Sequence, residues 1–171
     1  MTPLPDIMVA PNGARLTKAD HPALPMTIEE TVQEAESCYE AGATGLHAHL
    51  RDAGGAHVLD AGLYRELLSE MARRVPGMAV QVTTEAVARY MPFEQRDLIM
   101  QLAPGLTSIA LREMWRDPDE KRLAEFYQHA AGARHRHSAH PLRRAGYRAV
   151  HAPSGKRRTT AGTGAGSPGA W

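Results

Sequence analysis

His47 and His49 are separated by a single residue and close an alternating run over residues 44–50, in which Leu46, Ala48 and Leu50 are the apolar partners. In an extended chain, positions i and i+2 project from the same face, with backbones roughly 6–7 Å apart. Two imidazoles placed so can converge on one metal ion, with a third ligand brought from elsewhere. The same pair also fits two polar side chains hydrogen-bonded to neighbours on an interior face. What favours chemistry is position. The pair precedes the loop Arg51-Asp52-Ala53-Gly54-Gly55, at the carboxyl end of a predicted strand.

Other polar groups fall at equivalent places. Asn12 and Arg15 follow a first strand, Thr83, Thr84 and Glu85 end a third, and Arg112 and Glu113 end a fourth. Gathered at one rim, they suit an anionic substrate, with Arg15 or Arg51 pairing a carboxylate. Asn12, Arg15, Thr83 and Glu113 are the candidate substrate contacts. Taken singly, each also reads as a helix cap or a solvated loop residue. Cys38 falls on a buried helical stripe and reads as packing, and His21 and His57 read as loop residues without a required function.

The elements that must position these groups alternate. Residues 7–10 form a short apolar strand closed by Pro11-Asn12-Gly13. Thr27 and Glu30 have capping-box spacing ahead of a helix bearing Val32, Ala35, Cys38 and Tyr39, with Gly42 beyond its end. Asp60 can cap a second helix, whose stripe is Tyr64, Leu67, Leu68 and Met71. Residues 78–84 and 106–111 read as the third and fourth strands, with a helix over 91–102 between them. Asp117-Pro118-Asp119-Glu120 predicts a fourth helix capped at Asp117. This rhythm predicts right-handed β-α-β units and a parallel sheet.

The chain has 171 residues, 43% hydrophobic and 23% charged, with one cysteine, which excludes a disulfide framework. No run approaches the ~20 apolar residues of a membrane helix, and the start lacks a secretory pattern, so a cytoplasmic protein is expected. The net charge of +1 hides an asymmetry: residues 1–125 carry −7 and residues 126–171 carry +8, with no acid after Glu125. Four β/α units are half of an eight-fold barrel, which needs roughly 250 residues. An open four-stranded sheet would continue into a fifth unit, yet after Phe126 the only Leu, Ile, Val, Met or Phe are Leu142 and Val150.

Three segments, "APNGARLTKADHPALPMTIEE", "CYEAGATGLHAHLRDAGG" and "QVTTEA", occur in that order. Together they resemble the beta-keto acid cleavage enzymes, the family of the 3-keto-5-aminohexanoate cleavage enzyme, over roughly residues 5–128. The resemblance implies a (β/α)8 barrel, a TIM barrel, that binds zinc and exchanges acyl groups between a β-keto acid and acetyl-CoA, giving acetoacetate and a new CoA thioester. It implies His47 and His49 as the first two zinc ligands, and a glutamate from the later barrel half as the third. No segment here matches that glutamate, and the base is unassigned. Thr83 matches a hydroxyl residue that contacts substrate. Arg15 stands where a glutamate is common, and Leu111-Arg112 departs from a small polar pair, so the substrate's distal group differs or is open. A full-length member is expected to be a homo-oligomer.

The expected organisation is therefore an α/β, incomplete barrel of about four β/α units over residues 1–130, and a basic, disordered tail over residues 131–171. A plain disordered linker is one reading of that tail, but it leaves the missing barrel half unexplained, and a shifted reading frame is the expected account. Dropping one nucleotide near Arg134 allows Gly-Ile-Ala-Ile-Gln-His-Ile-Leu-Tyr, an apolar strand like the family's next one. The corrected frame should run on for over ~100 residues, and the 171-residue chain should be inactive alone. The alternative of another class is a non-enzymatic fragment whose basic tail binds nucleic acid or another polyanion.

Overall fold

The computed structural model describes residues 4–133. Its elements run β1 (Met8–Val9), α1 (Ile28–Glu40), β2 (Gly45–Ala48), α2 (Ala61–Arg74), β3 (Ala79–Thr83), α3 (Pro92–Leu102), β4 (Leu106–Ser108), α4 (Leu111–Met114) and α5 (Glu120–Ala133). The four strands form one parallel sheet in the order β1-β2-β3-β4. This is the arrangement of four consecutive β/α units of a (β/α)8 barrel. Among the described residues, no helix is long and apolar enough to cross a membrane.

Local sequence sets the helix starts. At α1, Thr27 Oγ1 accepts from the Glu30 N–H at 3.1 Å, while Glu30 Oε2 accepts from the N–H groups of Thr27 and Met26 at 3.1 and 2.8 Å. The capping box thus satisfies orphan donors of the first turn in both directions. Asp60 Oδ1 accepts from Leu63 N–H at 2.8 Å and starts α2, which buries Tyr64, Leu67 and Met71. Arg74, near the carboxyl end of α2, ties back to α1 through Glu29 and Glu36.

Register assigns the sheet two faces. His47 lies opposite Gln81, Gln81 opposite Leu106, and Thr83 opposite Ser108, so these residues share one face. Leu46, Ala48 and Val82 occupy the other face, fully buried in a core with Val32, Ala35, Tyr64, Leu67 and Met71. At the amino end of the first face, Pro5 crosses close over Gly45. A Cβ at Gly45 would come within 2.6 Å of the proline ring, so only glycine admits this crossing.

Two expectations are corrected. The fourth strand ends at Ser108 rather than Leu111, because the chain turns at Ala110 into the short α4. The cap of α5 is Asp119, whose Oδ1 accepts from Arg122 N–H at 2.9 Å, and not Asp117. Asp117 is committed elsewhere: one oxygen accepts from Asp119 N–H and the other lies 2.6 Å from the buried Arg96. The last helix runs to Ala133. The expected disorder and frame shift of the tail fall on residues 134–171, outside the described residues.

Candidate functional site

The site begins with the histidine pair. The rings of His47 and His49 are edge-to-face with centroids 4.9 Å apart, and their Nε2 atoms face each other at 3.1 Å. Two nitrogens each about 2.0–2.1 Å from a tetrahedral zinc would be about 3.3 Å apart. The separation and donor type therefore fit two corners of a zinc site. Among the described residues, no third His, Cys, Asp or Glu completes a cluster able to hold a metal.

Each histidine is held by its surroundings. His47 Nδ1 lies 2.6 Å from Gln81 Oε1, on the adjacent strand. Asn12, from the loop after β1, is buried and reads the backbone of His49 in both directions. Its Nδ2 donates to the His49 carbonyl at 2.7 Å and to the Pro25 carbonyl at 3.2 Å, and its Oδ1 accepts from His49 N–H at 3.3 Å. Tyr64 donates its hydroxyl from α2 to the carbonyls of Ala48 and Thr83, at 3.1 and 3.3 Å, bridging the ends of β2 and β3.

His57 is the residue that spacing did not reveal. Asp52 Oδ1 accepts from the N–H groups of Gly54 and Ala56, and Gly55 takes a left-handed φ of +81°. That turn folds the chain back, so that His57 pairs with Arg51 across an isolated antiparallel bridge. The buried His57 ring then stands edge-to-face 5.2 Å from His49, and its Nε2 donates to the Glu85 carbonyl at 2.9 Å. The Asp52-Ala53-Gly54-Gly55 turn was the available signal, since residues flanking a tight turn come together.

Burial, reinforced by neighbouring His47, His57, Arg51 and Arg15, pushes the His49 pKa down to about 3. The imidazole is neutral near pH 7, so its 3.8 Å separation from Glu85 Oε2 is not an ion pair. Glu85 Oε1 instead pairs with the exposed Arg15 at 3.0 Å. Burial also lowers the His57 pKa.

The remaining expected residues take distinct places. Thr83 is buried at the end of β3, and its Oγ1 accepts from Glu85 N–H at 3.2 Å. Glu113 Oε2 accepts from Ala86 N–H at 2.9 Å and so holds the loop after β3. In that loop Val87 and Ala88 have left-handed φ values of 46° and 61°, a strained backbone for residues with a Cβ. Arg51, expected as one option for a substrate carboxylate, is committed internally. Its guanidinium donates to the carbonyls of Gly13, Ala14 and Leu16. His47, His49, Thr83, Asn12 and Arg15 therefore gather at one rim, joined by Gln81, Glu85 and His57.

Comparison with known proteins places this rim in context. The sequence profile of a family described as beta-keto acid cleavage enzyme matches residues 6–146. The chain is 38% identical over 72 residues to a 3-keto-5-aminohexanoate cleavage enzyme of Fusobacterium nucleatum, covering 42% of this chain and 26% of that protein. It is 31% identical over 104 residues to a 3-oxoadipate:acetyl-CoA acetyltransferase of Cupriavidus necator, covering 61% and 36%. A 3-keto-5-aminohexanoate cleavage enzyme of Acetoanaerobium sticklandii is 31% identical over 97 residues, covering 57% and 35%. The aligned stretches thus span about a third or less of these relatives' own length.

Proposed function

Because the chain belongs to the beta-keto acid cleavage enzyme family, we propose that it carries the metal-binding and substrate-binding rim of an acyl-exchange catalyst. The reaction breaks the bond between C2 and C3 of a β-keto acid. Overall, C2 becomes bonded to the acetyl carbonyl of acetyl-CoA, giving acetoacetate, and the CoA thiolate displaced from that carbonyl takes the acyl group cleaved from C2 as a new thioester. The observation that carries this reading is the convergence of the two imidazole Nε2 atoms at the carboxyl end of a parallel strand, where barrels gather their catalytic groups.

Zinc is the group this pair fits, and when bound it supplies a Lewis acid toward the substrate's keto oxygen. His47 and His49 would hold it through Nε2. Thr83 Oγ1 accepts from a backbone N–H, and its own proton is available to donate to a substrate oxygen. Arg15, at the mouth and exposed, can exchange Glu85 for a distal substrate carboxylate. A keto diacid such as 3-oxoadipate, named in one relative, offers that group. Asn12 and Glu113 act on the substrate site through what they hold: the His49 backbone and the loop after β3.

Under this reading, residues 1–130 are the amino-terminal half of the catalytic domain and residues 131–171 are a frame-shifted basic tail. The third zinc ligand then comes from the later barrel half, and the base is unassigned. The setting is cytoplasmic, and the full-length form a homo-oligomer. The test has two arms. Zn2+ titrated into the 171-residue chain should bind weakly, and not at all after His47→Ala with His49→Ala. The frame-restored protein should release acetoacetate from 3-oxoadipate and acetyl-CoA, whereas the 171-residue chain should not. Zinc binding unaffected by the double substitution, or a frame-restored protein inert toward all β-keto acids, would overturn the reading.

A further inference from the structure

His47 and His49 meet through ring nitrogens of the same kind, and proton counting limits how they can do so. A neutral imidazole carries one N–H, so one of its nitrogens is always a bare acceptor. Gln81 Oε1 can only accept, and it lies 2.6 Å from His47 Nδ1. In the neutral tautomer that this contact selects, His47 carries its proton on Nδ1, and its Nε2 presents a lone pair toward His49 Nε2 at 3.1 Å.

His49 then has two arrangements. With its proton on Nε2, it donates to His47, and its bare Nδ1 points a lone pair toward a carboxylate, Glu85 Oε2, 3.8 Å away. With its proton on Nδ1, that N–H faces the carboxylate, and the two Nε2 lone pairs converge on a common point. Burial makes this choice consequential. His49 Nδ1 is enclosed and has no hydrogen-bond partner in the structure, and an unmatched buried polar atom is costly. Closing 3.8 Å to a hydrogen bond takes about 1 Å of side-chain movement. Glu85 is steadied for that approach by Arg15 on its other oxygen.

We infer that Gln81 and Glu85 are positioning residues that set the tautomers of His47 and His49, so that both Nε2 lone pairs face one cation. The inference rests on the metal-binding reading above and extends it to the residues behind the ligands. Both acceptors come from β3 and its exit: Gln81 lies directly opposite His47 in the parallel register, and Glu85 follows two residues after Thr83. Histidine ligands generally need such acceptors behind them, and losing one typically weakens metal binding about 10- to 100-fold.

The test uses the full 171-residue chain, 15N-labelled, with long-range 1H–15N spectra of the histidine rings and Zn2+ affinity from competition with a chromogenic chelator. Four proteins are compared: the parent, Gln81→Met, Gln81→Glu and Glu85→Gln. Without metal, His47 should carry its proton on Nδ1 in the parent and in Gln81→Glu, and lose that preference in Gln81→Met. Zn2+ affinity should fall about 10- to 100-fold in Gln81→Met and Glu85→Gln, and be kept in Gln81→Glu, which retains an acceptor. A His47 protonated on Nε2 in the parent would overturn the inference, as would parental Zn2+ affinity in both Gln81→Met and Glu85→Gln. A parent that takes up no Zn2+ would overturn the metal reading instead, and the ring spectra would still decide what Gln81 does to His47.

Discussion

The two faces of the sheet are built from the same strands and do opposite work. On the helix-covered face, Leu46, Ala48 and Val82 are fully buried against α1 and α2 and carry no polar side-chain atom. On the other face, His47, Gln81, Thr83 and Ser108 stand in register, half-buried or buried, and nearly every contact named among them is polar. Alternation along the chain separates the two roles residue by residue. Cohesion thus sits one residue away from chemistry at every step of β2 and β3. The lesson is that the open face can be changed without unfolding the domain, while the covered face cannot.

The largest expected effect breaks the covered face. Leu67→Ala should cost about 2–5 kcal/mol in chemical denaturation, the range for a fully buried leucine; a cost under about 1 kcal/mol would mean the two faces do not differ as described. On the opposite face, His47→Ala should abolish the weak Zn2+ binding while leaving the unfolding midpoint close to that of the parent. A large loss of stability there would show that the histidines are core rather than site. Tyr64→Phe probes a side chain that reaches both strand ends from the covered side. It should cost about 0.5–1.5 kcal/mol by urea melting, with a further loosening of Zn2+ affinity as the ends of β2 and β3 separate.

The smallest effect lies at the periphery of both faces. The Lys18 ammonium, then the N–H groups of Met26 and Thr27, hold the Glu30 carboxyl at about 2, below its ordinary 4.5. A carboxyl lowered in the folded state stabilises above its unfolded value and loses that contribution as pH falls. The Tm difference between the parent and Glu30→Gln should therefore be present at pH 7 and shrink between pH 4.5 and about 2. It should be small throughout, because the ion pair is partly exposed. A difference constant across that range would remove the carboxylate from the account.

The capping signals of α1 and α2 were legible because they are local: Thr27, Glu30 and Asp60 act on N–H groups three residues away. The meeting of His47 and His49 was legible for the same reason, being set by i and i+2 spacing, although β2 ends at Ala48, short of the expected residue 50, and His49 follows it. What was not legible depends on chain segments meeting. His57 reaches His49 only because a turn returns the chain beneath it, and Gln81 matters only through the β2–β3 register. Asp117 looked like the better cap, but a buried cation from α3 claims it, and the helix starts at the next acid. Arg51 looked available for a substrate because nothing in the sequence reveals three carbonyls waiting for it.

That commitment of Arg51 has a consequence for how this rim can be rebuilt. The loop after β1 owes its shape to a side chain thirty-five and more residues downstream, on the loop after β2. The two loops are therefore one heritable module. A graft that replaces residues 11–16 while leaving Arg51 in place, or the reverse, would strand either a guanidinium or a set of carbonyls. Anyone retargeting the pocket by loop exchange should move both together, and should expect Asn12, which grips His49 from the same loop, to carry the histidine pair along with it.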